Sequence, residues 1–358
     1  MKAVVLCAGR GTRLRPLTHT GAKHLIPVAN RPILFHVLDD LADAGIESTC
    51  MVVSEGAQDL REALGSGERW GMPITYAVQE SPRGLAHAVQ VAQDFVADER
   101  FVVYLGDNLF ENGISEFVQK ASQQDGPAAV LLAPVPDPRR FGVAQLDRNG
   151  RLTAVEEKPA DPPSNLALTG AYMFAPAIFD AIDSITPSAR GELEITGAIQ
   201  HLIANGGEVA AFRASGWWRD TGKPEQVLDV NRLLLEALPP DEAVDPADLE
   251  CKIEGRVYVQ DGAVVEDSLI RGPVTIASEC HVARSFVGPF TSIGEGSSLV
   301  DVEIENSIVM PDCHIEGVDV RLDSSILGRQ VRLEYNNHRP AGGQFLLADH
   351  SEVFLSSP

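Results

Sequence analysis

Short apolar runs alternate with stretches of helical periodicity along the first two thirds of the chain. The apolar runs, rich in Val and Leu, lie at 2–7, 48–53, 101–105 and 128–133. The stretches with helical spacing of apolar residues lie at 39–45, 86–95 and 114–122. Continuous apolar runs are typical of buried parallel strands, and their alternation with helices predicts an α/β domain with a mainly parallel sheet. The carboxyl ends of parallel strands lie at the same edge of the sheet, and ligands bind beyond that edge. The loops after Leu6 and Leu105 should therefore lie together at this edge.

The pattern changes after a predicted helix at Pro224–Leu238. The segment Leu235–Lys252 is rich in Pro, Asp and Glu, which predicts a linker. Beyond it, aliphatic residues recur about every six positions: Ile276 to Val282, Val287 to Ile293 to Leu299, and Val309 to Ile315. A six-residue period is the signature of a β-helix, and a β-sandwich is the alternative. The predicted divisions are a domain at 1–238, a linker at 239–252, a β-helix at 253–335 and a tail at 336–358.

The composition predicts in which compartment the protein is located and whether its cysteines form disulfides. The 358 residues are 44% hydrophobic and 22% charged, as in an ordinary globular protein. No apolar run approaches the roughly 18 residues of a membrane helix, and the apolar start is too short for a signal peptide. We therefore expect a cytoplasmic protein without a membrane partner. The five cysteines are widely spaced and include no CxxC pair, which favours buried free thiols over disulfides or a zinc site.

Charge is distributed unevenly along the chain. The 29 Lys and Arg and 51 Asp and Glu give a net charge of −22, which disfavours binding to a nucleic acid polymer. Residues 1–38, however, contain six Lys or Arg and no Asp or Glu, so this stretch carries +6 and the remainder −28. A small basic island in an acidic protein indicates a site for a small anion.

The basic island contains a glycine-rich loop directly after the first predicted strand. Residues 6–18 read LCAGRGTRLRPLT, and Lys23 follows shortly after. Glycines in such a loop let backbone N–H groups approach phosphate oxygens, and Arg13 and Lys23 would add positive charge. The third glycine of the GxGxxG pattern is missing, and a simple turn is the alternative.

Four further polar segments contain candidate chemistry. Asp107 follows the apolar run at 101–105, where a carboxylate can bind Mg²⁺ together with substrate phosphates, and a capping Asp in a turn is the alternative. Asp220 lies in the segment WWRDTGKP at 217–224, which could also be a hydrophobic staple with a helix N-cap. The charged segments at 156–159 and 191–196 are by themselves typical of solvated surface.

In order and spacing these segments resemble the sugar-1-phosphate nucleotidyltransferases, and among them the long form of the glucose-1-phosphate thymidylyltransferases. The resemblance covers nearly the whole chain and includes QESPRGLAHA at 79–88, FGV at 141–143 and PSNLA at 163–167. The long form also carries a C-terminal six-residue repeat. The resemblance implies a Rossmann-like nucleotidyltransferase domain followed by a C-terminal left-handed β-helix.

The resemblance also implies roles for individual residues of this chain. The implied nucleotide-binding residues are Leu6, Ala8, Gly9, Gly11, Thr12, Arg13, Gln79 and Gly84. The implied sugar-phosphate-binding residues are Asn108, Gly142, Glu157, Lys158 and Tyr172. Arg13, Lys23 and Lys158 are the implied catalytic residues. Asp107 and Asp220 are the implied ligands of a Mg²⁺ cofactor.

The implied reaction is transfer of a deoxythymidylyl group from dTTP to α-D-glucose 1-phosphate, giving dTDP-glucose and pyrophosphate for deoxysugar biosynthesis. The attacking phosphate is already an anion, so the site must supply positioning and charge neutralisation rather than a general base. UTP stays open as the nucleotide, because Gln79 can pair with uracil as well as thymine. A homo-oligomer, trimer or tetramer, is expected through the open ends of the β-helix.

Two other functions stay open at this point. A β-helix can also belong to an acetyl-CoA-dependent acyltransferase fused to a nucleotidyltransferase, with His281, His314 and His338 as candidate catalytic residues. A non-catalytic paralogue is disfavoured because both aspartates, Arg13 and Lys23 are present. The chain departs from the family at Ala8, where many members have glycine, and at Gly197, where the family usually has Asp.

Overall fold

The computed structural model describes residues 1–240 and 251–334. Its internal contacts divide the chain into two compact units. The first comprises Met1–Arg10 and Ile33–Asp220, and the second comprises Gly11–Pro32 and the described part of Thr221–Pro358. The predicted tail at 336–358 and residues 241–250 of the predicted linker lie outside the described residues.

The elements of residues 1–240 follow one another in the order expected for an α/β protein. The strands are β1 (Lys2–Cys7), β2 (Pro27–Val28), β3 (Arg31–Pro32), β4 (Ser48–Ser54), β5 (Ile74–Gln79), β6 (Phe101–Leu105), β7 (Asn108–Phe110), β8 (Ala128–Pro134), β9 (Gly142–Leu146), β10 (Leu152–Glu157), β11 (Leu166–Phe174), β12 (Val209–Arg213) and β13 (Trp218–Asp220). The helices are α1 (Ile33–Asp43), α2 (Gln58–Leu64), α3 (Leu85–Val91), α4 (Gln93–Val96), α5 (Ser115–Ser122), α6 (Ala177–Ser184), α7 (Ile195–Ala204) and α8 (Pro224–Ala237). Short 3₁₀ helices lie at Thr12–Leu14, Leu17–His19, Lys23–Leu25, Glu68–Trp70 and Pro138–Arg140.

A nine-stranded sheet, counted over the described residues, forms the first unit. Its strand order is β10-β9-β11-β6-β1-β4-β5, with β8 beside β11 and β12 beside β8. Strands β6, β1, β4 and β5 are parallel, which confirms the α/β prediction. Strand β11 interrupts the parallel arrangement, because it runs antiparallel to β6, β8 and β9, while β12 pairs parallel with β8. All nine residues of β11 are buried, so the central position of this strand follows from its apolar sequence.

The core of the first unit lies between the sheet and helices α3, α6 and α7. It contains Phe101 of β6, whose ring stacks on Phe179 of α6 with 5.7 Å between centroids. Such buried aromatic side chains contribute roughly 2 to 3 kcal/mol each through removal of apolar surface from water. The predicted helix at 86–95 is interrupted at Ala92, between α3 and α4.

The ends of β1 and β6 meet at the predicted edge of the sheet. Leu6 lies opposite Leu105 in the parallel register. The backbone N–H of Gly106 donates to the carbonyl oxygen of Leu6 at 3.1 Å. The loops that follow the two strands therefore begin side by side, as predicted.

The second unit contains helix α8, the β2–β3 hairpin and a series of two- and three-residue strands. These strands are β14 (Lys252–Glu254), β15 (Val257–Val259), β16 (Val264–Glu266), β17 (Leu269–Arg271), β18 (Val274–Ile276), β19 (His281–Ala283), β20 (Phe286–Val287), β21 (Thr291–Ile293), β22 (Ser298–Val300), β23 (Glu303–Glu305), β24 (Ile308–Val309), β25 (His314–Glu316), β26 (Leu322–Asp323), β27 (Ile326–Leu327) and β28 (Arg332–Glu334). Within 251–334 they form three five-stranded parallel sheets, in which every third strand is a neighbour.

The register confirms the β-helix. Lys252 pairs with Leu269, Leu269 with Phe286 and Phe286 with Glu303, so one coil takes 17 residues, or about three six-residue steps. A β-sandwich is excluded, because consecutive coils pair in parallel. The residues that set the six-residue period are buried inside the coils: Ile276, Val282, Val287, Ile293, Leu299, Val309 and Ile315.

The predictions on membranes and cysteines concern the same described residues. None of the described helices is long and apolar enough to cross a membrane. The five cysteines, all in described segments, are free thiols, and four of them are buried while Cys251 is partly exposed. Free, mostly buried thiols agree with the prediction from their spacing.

Candidate active site

Two aspartates lie on neighbouring chain segments beyond the end of β6. Asp107 directly precedes β7, and Asp220 ends β13, which pairs antiparallel with β7. In that register Asp220 lies opposite Asn108, the residue after Asp107. Asp220 therefore belongs to a strand, and the N-cap interpretation of its segment is wrong, because Lys223 occupies the N-cap position of α8.

Asn108 fixes the geometry around the aspartates. Its side chain is buried, donates from Nδ2 to Asp107 Oδ1 at 3.0 Å and accepts from Trp218 Nε1 at 2.7 Å. A Cβ atom on Gly170 of β11 would lie 2.5 Å from Asn108 Cγ, so only glycine leaves room for this amide. The Trp218 ring in turn packs edge-on against Phe141, with centroids 5.3 Å apart. These contacts hold the Asp107 carboxylate against a rigid amide.

The donor chemistry of this pair suits a divalent cation of the Mg²⁺ type. Mg²⁺ is usually held by one or two carboxylates and completes its shell with water and substrate phosphates. In the part of the chain that the structure describes, no third His, Cys, Asp or Glu joins Asp107 and Asp220 in a closed cage of ligands. Asp107 and Asp220 are two carboxylates on segments that pair through β7 and β13.

A second cluster lies where β9 and β10 pair. Glu157 at the end of β10 lies opposite Gly142 at the start of β9. The buried hydroxyl of Thr196, in the first turn of α7, donates to Glu157 Oε2 at 3.1 Å. A Cβ atom on Gly142 would lie 2.5 Å from Thr196 Cγ2 and 3.4 Å from Glu157 Oε2. Gly142 thus leaves the space that the Glu157–Thr196 pair occupies.

Charged side chains surround Glu157 in this cluster. Lys158 Nζ lies 3.4 Å from Glu157 Oε1, and Arg190 Nη1 lies 3.6 Å from the same oxygen. Arg190 also binds Glu192, and its Nη2 lies 3.3 Å from Glu194 Oε1. Burial raises the pKa of Glu194, a hydrogen bond from a neighbouring serine lowers it, and the Glu157 charge raises it further. Arg190 thereby contacts three carboxylates, and Lys158 adds a second cation beside Glu157.

Tyr172 and Lys158 complete the second cluster. Tyr172 lies on β11 and is buried, and burial together with the charge of Glu157 raises the pKa of its phenol. Lys158 adopts a left-handed backbone conformation with φ of +46° and donates its N–H to the carbonyl oxygen of Phe141 at 2.9 Å. Such a conformation is unfavourable for a residue with a Cβ atom and is enriched at functional sites.

Gln79 and Gly84 form a third group. Gln79 Nε2 lies 3.2 Å from the Gly84 carbonyl oxygen and 2.9 Å from His87 Nδ1. Burial, and then the charge of Arg83, lower the pKa of His87, which favours a neutral ring that accepts at Nδ1. Gly84 has φ of +108°, and a Cβ atom there would lie 2.4 Å from the Leu193 carbonyl oxygen.

The basic loop belongs to the second unit from Gly11 onward. Gly11 has φ of +60° and precedes the 3₁₀ helix at Thr12–Leu14, while Thr18 Oγ1 donates to its carbonyl oxygen at 2.8 Å. A Cβ atom on Gly11 would lie 3.0 Å from Thr18 Cγ2 and 3.2 Å from Lys23 Cβ. The turn therefore places the Gly11 backbone directly against Lys23. Thr12 and Arg13 are exposed on this turn.

The beginning of the loop lies in the first unit. Leu6 is buried at the end of β1, Ala8 is half-buried and Gly9 is exposed. The Ser54 hydroxyl donates to the Ala8 carbonyl oxygen at 3.3 Å, which ties the loop to the end of β4. At Ala8, where many members of the family have glycine, the backbone carbonyl oxygen is thus bonded to the end of β4.

The structure groups the predicted residues into these clusters, and their roles stay predictions. It also adds residues that the sequence pattern did not assign: Thr196, Arg190 and Glu194 around Glu157, Trp218 on Asn108, and His87 on Gln79. Most of them lie inside the motifs quoted above, but only their contacts distinguish them from their neighbours. Gly197, in α7, has only Ile185 near the position of a Cβ atom, at 3.7 Å, so an Asp side chain would start toward that apolar contact.

Comparison with known proteins gives consistent matches. Residues 2–237 match the family model of nucleotidyl transferases. A glucose-1-phosphate thymidylyltransferase of Streptomyces antibioticus is 45% identical over the full length of both chains. A UTP–glucose-1-phosphate uridylyltransferase of Haloferax volcanii is 42% identical over 66% of this chain and 97% of its own. A Bacillus anthracis crystal structure provisionally assigned as a glucose-1-phosphate thymidylyltransferase superposes with a TM-score of 0.62 at 38% identity, over 65% of this chain and 94% of its own.

Proposed function

Because the chain belongs to the nucleotidyl transferase family, we propose that it transfers a deoxythymidylyl group from dTTP to α-D-glucose 1-phosphate. The products are dTDP-glucose and pyrophosphate, for deoxysugar biosynthesis. The observation that carries the proposal is 45% identity to a glucose-1-phosphate thymidylyltransferase of Streptomyces antibioticus. This identity extends over all 358 residues and therefore includes the β-helix. A uridylyltransferase relative matches only 238 residues of this chain.

The reaction needs charge neutralisation more than it needs a base. The phosphate oxygen of the sugar attacks the α-phosphorus, a P–O bond forms, and the bond to pyrophosphate breaks. Two such anions about 4 Å apart repel by roughly 4 kcal/mol at an effective dielectric constant of 20. Arg13 and Lys23 would neutralise the triphosphate, and Lys158 would neutralise the sugar phosphate.

The carboxylates have two separate tasks in this proposal. Asp107 and Asp220 would hold Mg²⁺, which supplies additional neutralisation of phosphate charge when it is bound. Nucleotidyltransferases of this family generally use a divalent metal, and the identity of the ion is part of the proposal. Glu157 would accept hydrogen bonds from the sugar hydroxyls, with its orientation fixed by Thr196 and Arg190.

The remaining predicted contacts select the two substrates. The backbone of Gly9, Gly11 and Thr12, after the start of the loop at Leu6 and Ala8, would bind the triphosphate through N–H groups. Gln79 and Gly84 would read the pyrimidine edge. Asn108, Gly142 and Tyr172 would surround the sugar.

The experiment is a matrix of substrates with the purified chain and Mg²⁺. Nucleotides dTTP and UTP are each combined with glucose, galactose and glucosamine 1-phosphates, and pyrophosphate release is measured. We expect the highest kcat/KM for dTTP with glucose 1-phosphate. Equal or faster release from UTP would replace the proposal by uridylyltransferase activity. Consumption of acetyl-CoA with an amino-sugar phosphate would add the acyltransferase activity that the β-helix leaves open.

Two substitutions test the metal assignment. Asp107→Asn and Asp220→Asn keep the size of each side chain and remove its charge, so turnover should fall below detection while the fold is retained. Near-normal rates in either variant would refute the assignment. Arg139→Gln is a control, because Arg139 is exposed and pairs with Asp137 in a surface turn.

The proposal extends to the assembly and location of the enzyme. The β-helix would serve as the surface for a homo-oligomer, trimer or tetramer, of a cytoplasmic enzyme without nucleic acid or membrane partners. Light scattering coupled to size-exclusion chromatography measures the mass directly. A mass of about 38.5 kDa, that of one chain, would contradict the oligomer.

A further inference from the structure

The β2–β3 hairpin at Pro27–Pro32 lies at the end of Gly11–Pro32, the part of the basic island that belongs to the second unit. Ala29 and Asn30 connect its two strands and have φ of +47° and +60°. Positive φ at both central positions is the signature of a type I′ turn, which favours Asn and Gly. Asn30 fits this preference, but Ala29 does not, since its Cβ atom disfavours the left-handed region. Contacts from outside the hairpin must therefore stabilise this turn.

Asn231 of helix α8 supplies such a contact. Its side chain is completely buried, and Oδ1 accepts hydrogen bonds from the Ala29 N–H at 2.8 Å and from the Ser292 hydroxyl at 2.7 Å. Its Nδ2 donates to the Phe290 carbonyl oxygen at 2.9 Å. One amide thus joins α8, the hairpin turn and the β-helix at β21, with both of its polar atoms engaged.

Asn30 makes a second link between the same parts. Its Nδ2 donates to the carbonyl oxygen of Ile293, at the end of β21, at 2.8 Å. The hairpin turn is therefore bonded to the β-helix both directly and through Asn231. These links agree with the division of the chain, in which Gly11–Pro32 groups with α8 and the β-helix.

We propose that Asn231 is a positioning residue that fixes the segment Gly11–Pro32 on the β-helix, so that the β-helix takes part in nucleotide binding. The segment carries Arg13 and Lys23, which the proposed function assigns to the triphosphate, and the inference rests on that assignment. Asn231 acts on the nucleotide through the hairpin and touches neither substrate. The β-helix then has a role in catalysis besides any role in assembly.

Three variants weaken the links by different amounts. Asn231→Ala removes all three hydrogen bonds of the amide. Asn30→Gly removes the bond to Ile293 and keeps a residue that tolerates positive φ, so it preserves the turn. Ser292→Ala removes the hydroxyl that donates a hydrogen bond to Asn231 Oδ1. Its matched control is Ser297→Ala, because Ser297 is also buried in the β-helix and its hydroxyl donates to the Met310 carbonyl oxygen and accepts from the Cys313 N–H.

The first measurement is hydrogen exchange of backbone amides in the full-length chain, and it needs no substrate. Exchange within residues 11–32 should rise about tenfold in Asn30→Gly, by more in Asn231→Ala, which loses three hydrogen bonds, and by less in Ser292→Ala, which leaves Asn231 its other two. Exchange in β1, β4 and β6 should stay unchanged, and Ser297→Ala should leave residues 11–32 unchanged. Unaltered exchange of 11–32 in folded Asn30→Gly would overturn the link, even if Asn231→Ala failed to fold.

The second measurement is steady-state kinetics with the nucleotide that the wild-type enzyme uses best. The KM for the nucleoside triphosphate should rise about tenfold in Asn231→Ala, and the KM for the sugar 1-phosphate should stay within about twofold. A general loss of folding would instead reduce the active fraction and lower kcat without this split. An equal rise of both KM values, or none, would overturn the positioning role. If the wild-type enzyme used no nucleotide, the proposed function would fail, while the exchange data would still decide the link.

Discussion

The contact between Gly142 and Thr196 gives a sharp test of how the second cluster is built. In Gly142→Ala the new methyl group would lie 2.5 Å from Thr196 Cγ2, well inside the ordinary carbon–carbon contact distance. The other neighbours, Glu157 Oε2 at 3.4 Å and Leu168 Cβ at 3.8 Å, leave room for it. The backbone of Gly142 is outside the left-handed region, so the clash with one methyl group is the whole perturbation.

The size of the effect follows from this geometry. Overpacking of a buried contact costs about 2 kcal/mol in the free energy of unfolding. Thr196→Ser removes the clashing methyl group at a cost of roughly 0.8 kcal/mol and keeps the hydroxyl that donates to Glu157. In the double variant the Ala methyl occupies the vacated space, so the two changes should couple favourably by about 2 kcal/mol.

The assay combines urea unfolding with kinetics of pyrophosphate release for the four members of the cycle. In Gly142→Ala the displaced Thr196 should disturb Glu157 and raise the KM for the sugar 1-phosphate about tenfold, with the nucleotide KM unchanged. The double variant should return close to wild type in both measurements. A double variant as impaired as Gly142→Ala, or an unimpaired Gly142→Ala, would refute the reasoning.

Three further predictions concern other parts of the first unit. Burial raises the pKa of Asp40, which accepts a hydrogen bond from Tyr104 Oη, from its usual 3.8 to about 7. Between pH 3.8 and about 7 the folded state holds a proton that the unfolded chain releases. Stability should therefore fall as the pH rises through this window, by at most about 4 kcal/mol at roughly 1.4 kcal/mol per pH unit, with about 3 kcal/mol of the loss between pH 5 and 7. Asp40→Asn should flatten this slope in urea titrations at pH 5 and 8, and an unchanged slope would contradict the assignment. Gly197→Ala should stabilise α7 by about 0.5 to 1 kcal/mol in thermal unfolding without changing turnover, and a loss of stability would show that the site is more crowded than its contacts indicate. Gly84→Ala should raise the nucleotide KM about tenfold or more, because positive φ and the nearby Leu193 carbonyl oxygen both oppose a Cβ atom; an unchanged KM would contradict this reading of the loop.

The local pattern of apolar residues was sufficient to predict several of the strands and helices themselves. The apolar runs predicted β1 and β6 with their observed bounds, and α8 within one residue. The six-residue period predicted the β-helix, because each aliphatic residue of the period faces the interior of a coil. These features depend on residues close in sequence, whose periodicity directly reflects which side is buried.

The candidate residues were also recognisable from their order in the chain, but their partners were not. The motif at 191–196 did not distinguish Thr196 from its neighbours until its hydroxyl was seen on Glu157. Asp220 could equally be a helix cap until β13 was seen to pair with β7. Both ambiguities concern residues far apart in sequence, whose approach no local period encodes.

The sequence by itself determined the α/β and β-helix architecture, the basic island and the family to which the chain belongs. Only the tertiary structure decided that β11 joins the sheet antiparallel, that Gly142 makes room for Thr196, and that Asn231 bonds the β2–β3 hairpin to the β-helix. The physical reason is that burial repeats with the period of each element, whereas hydrogen bonds between distant segments depend on how those elements pack.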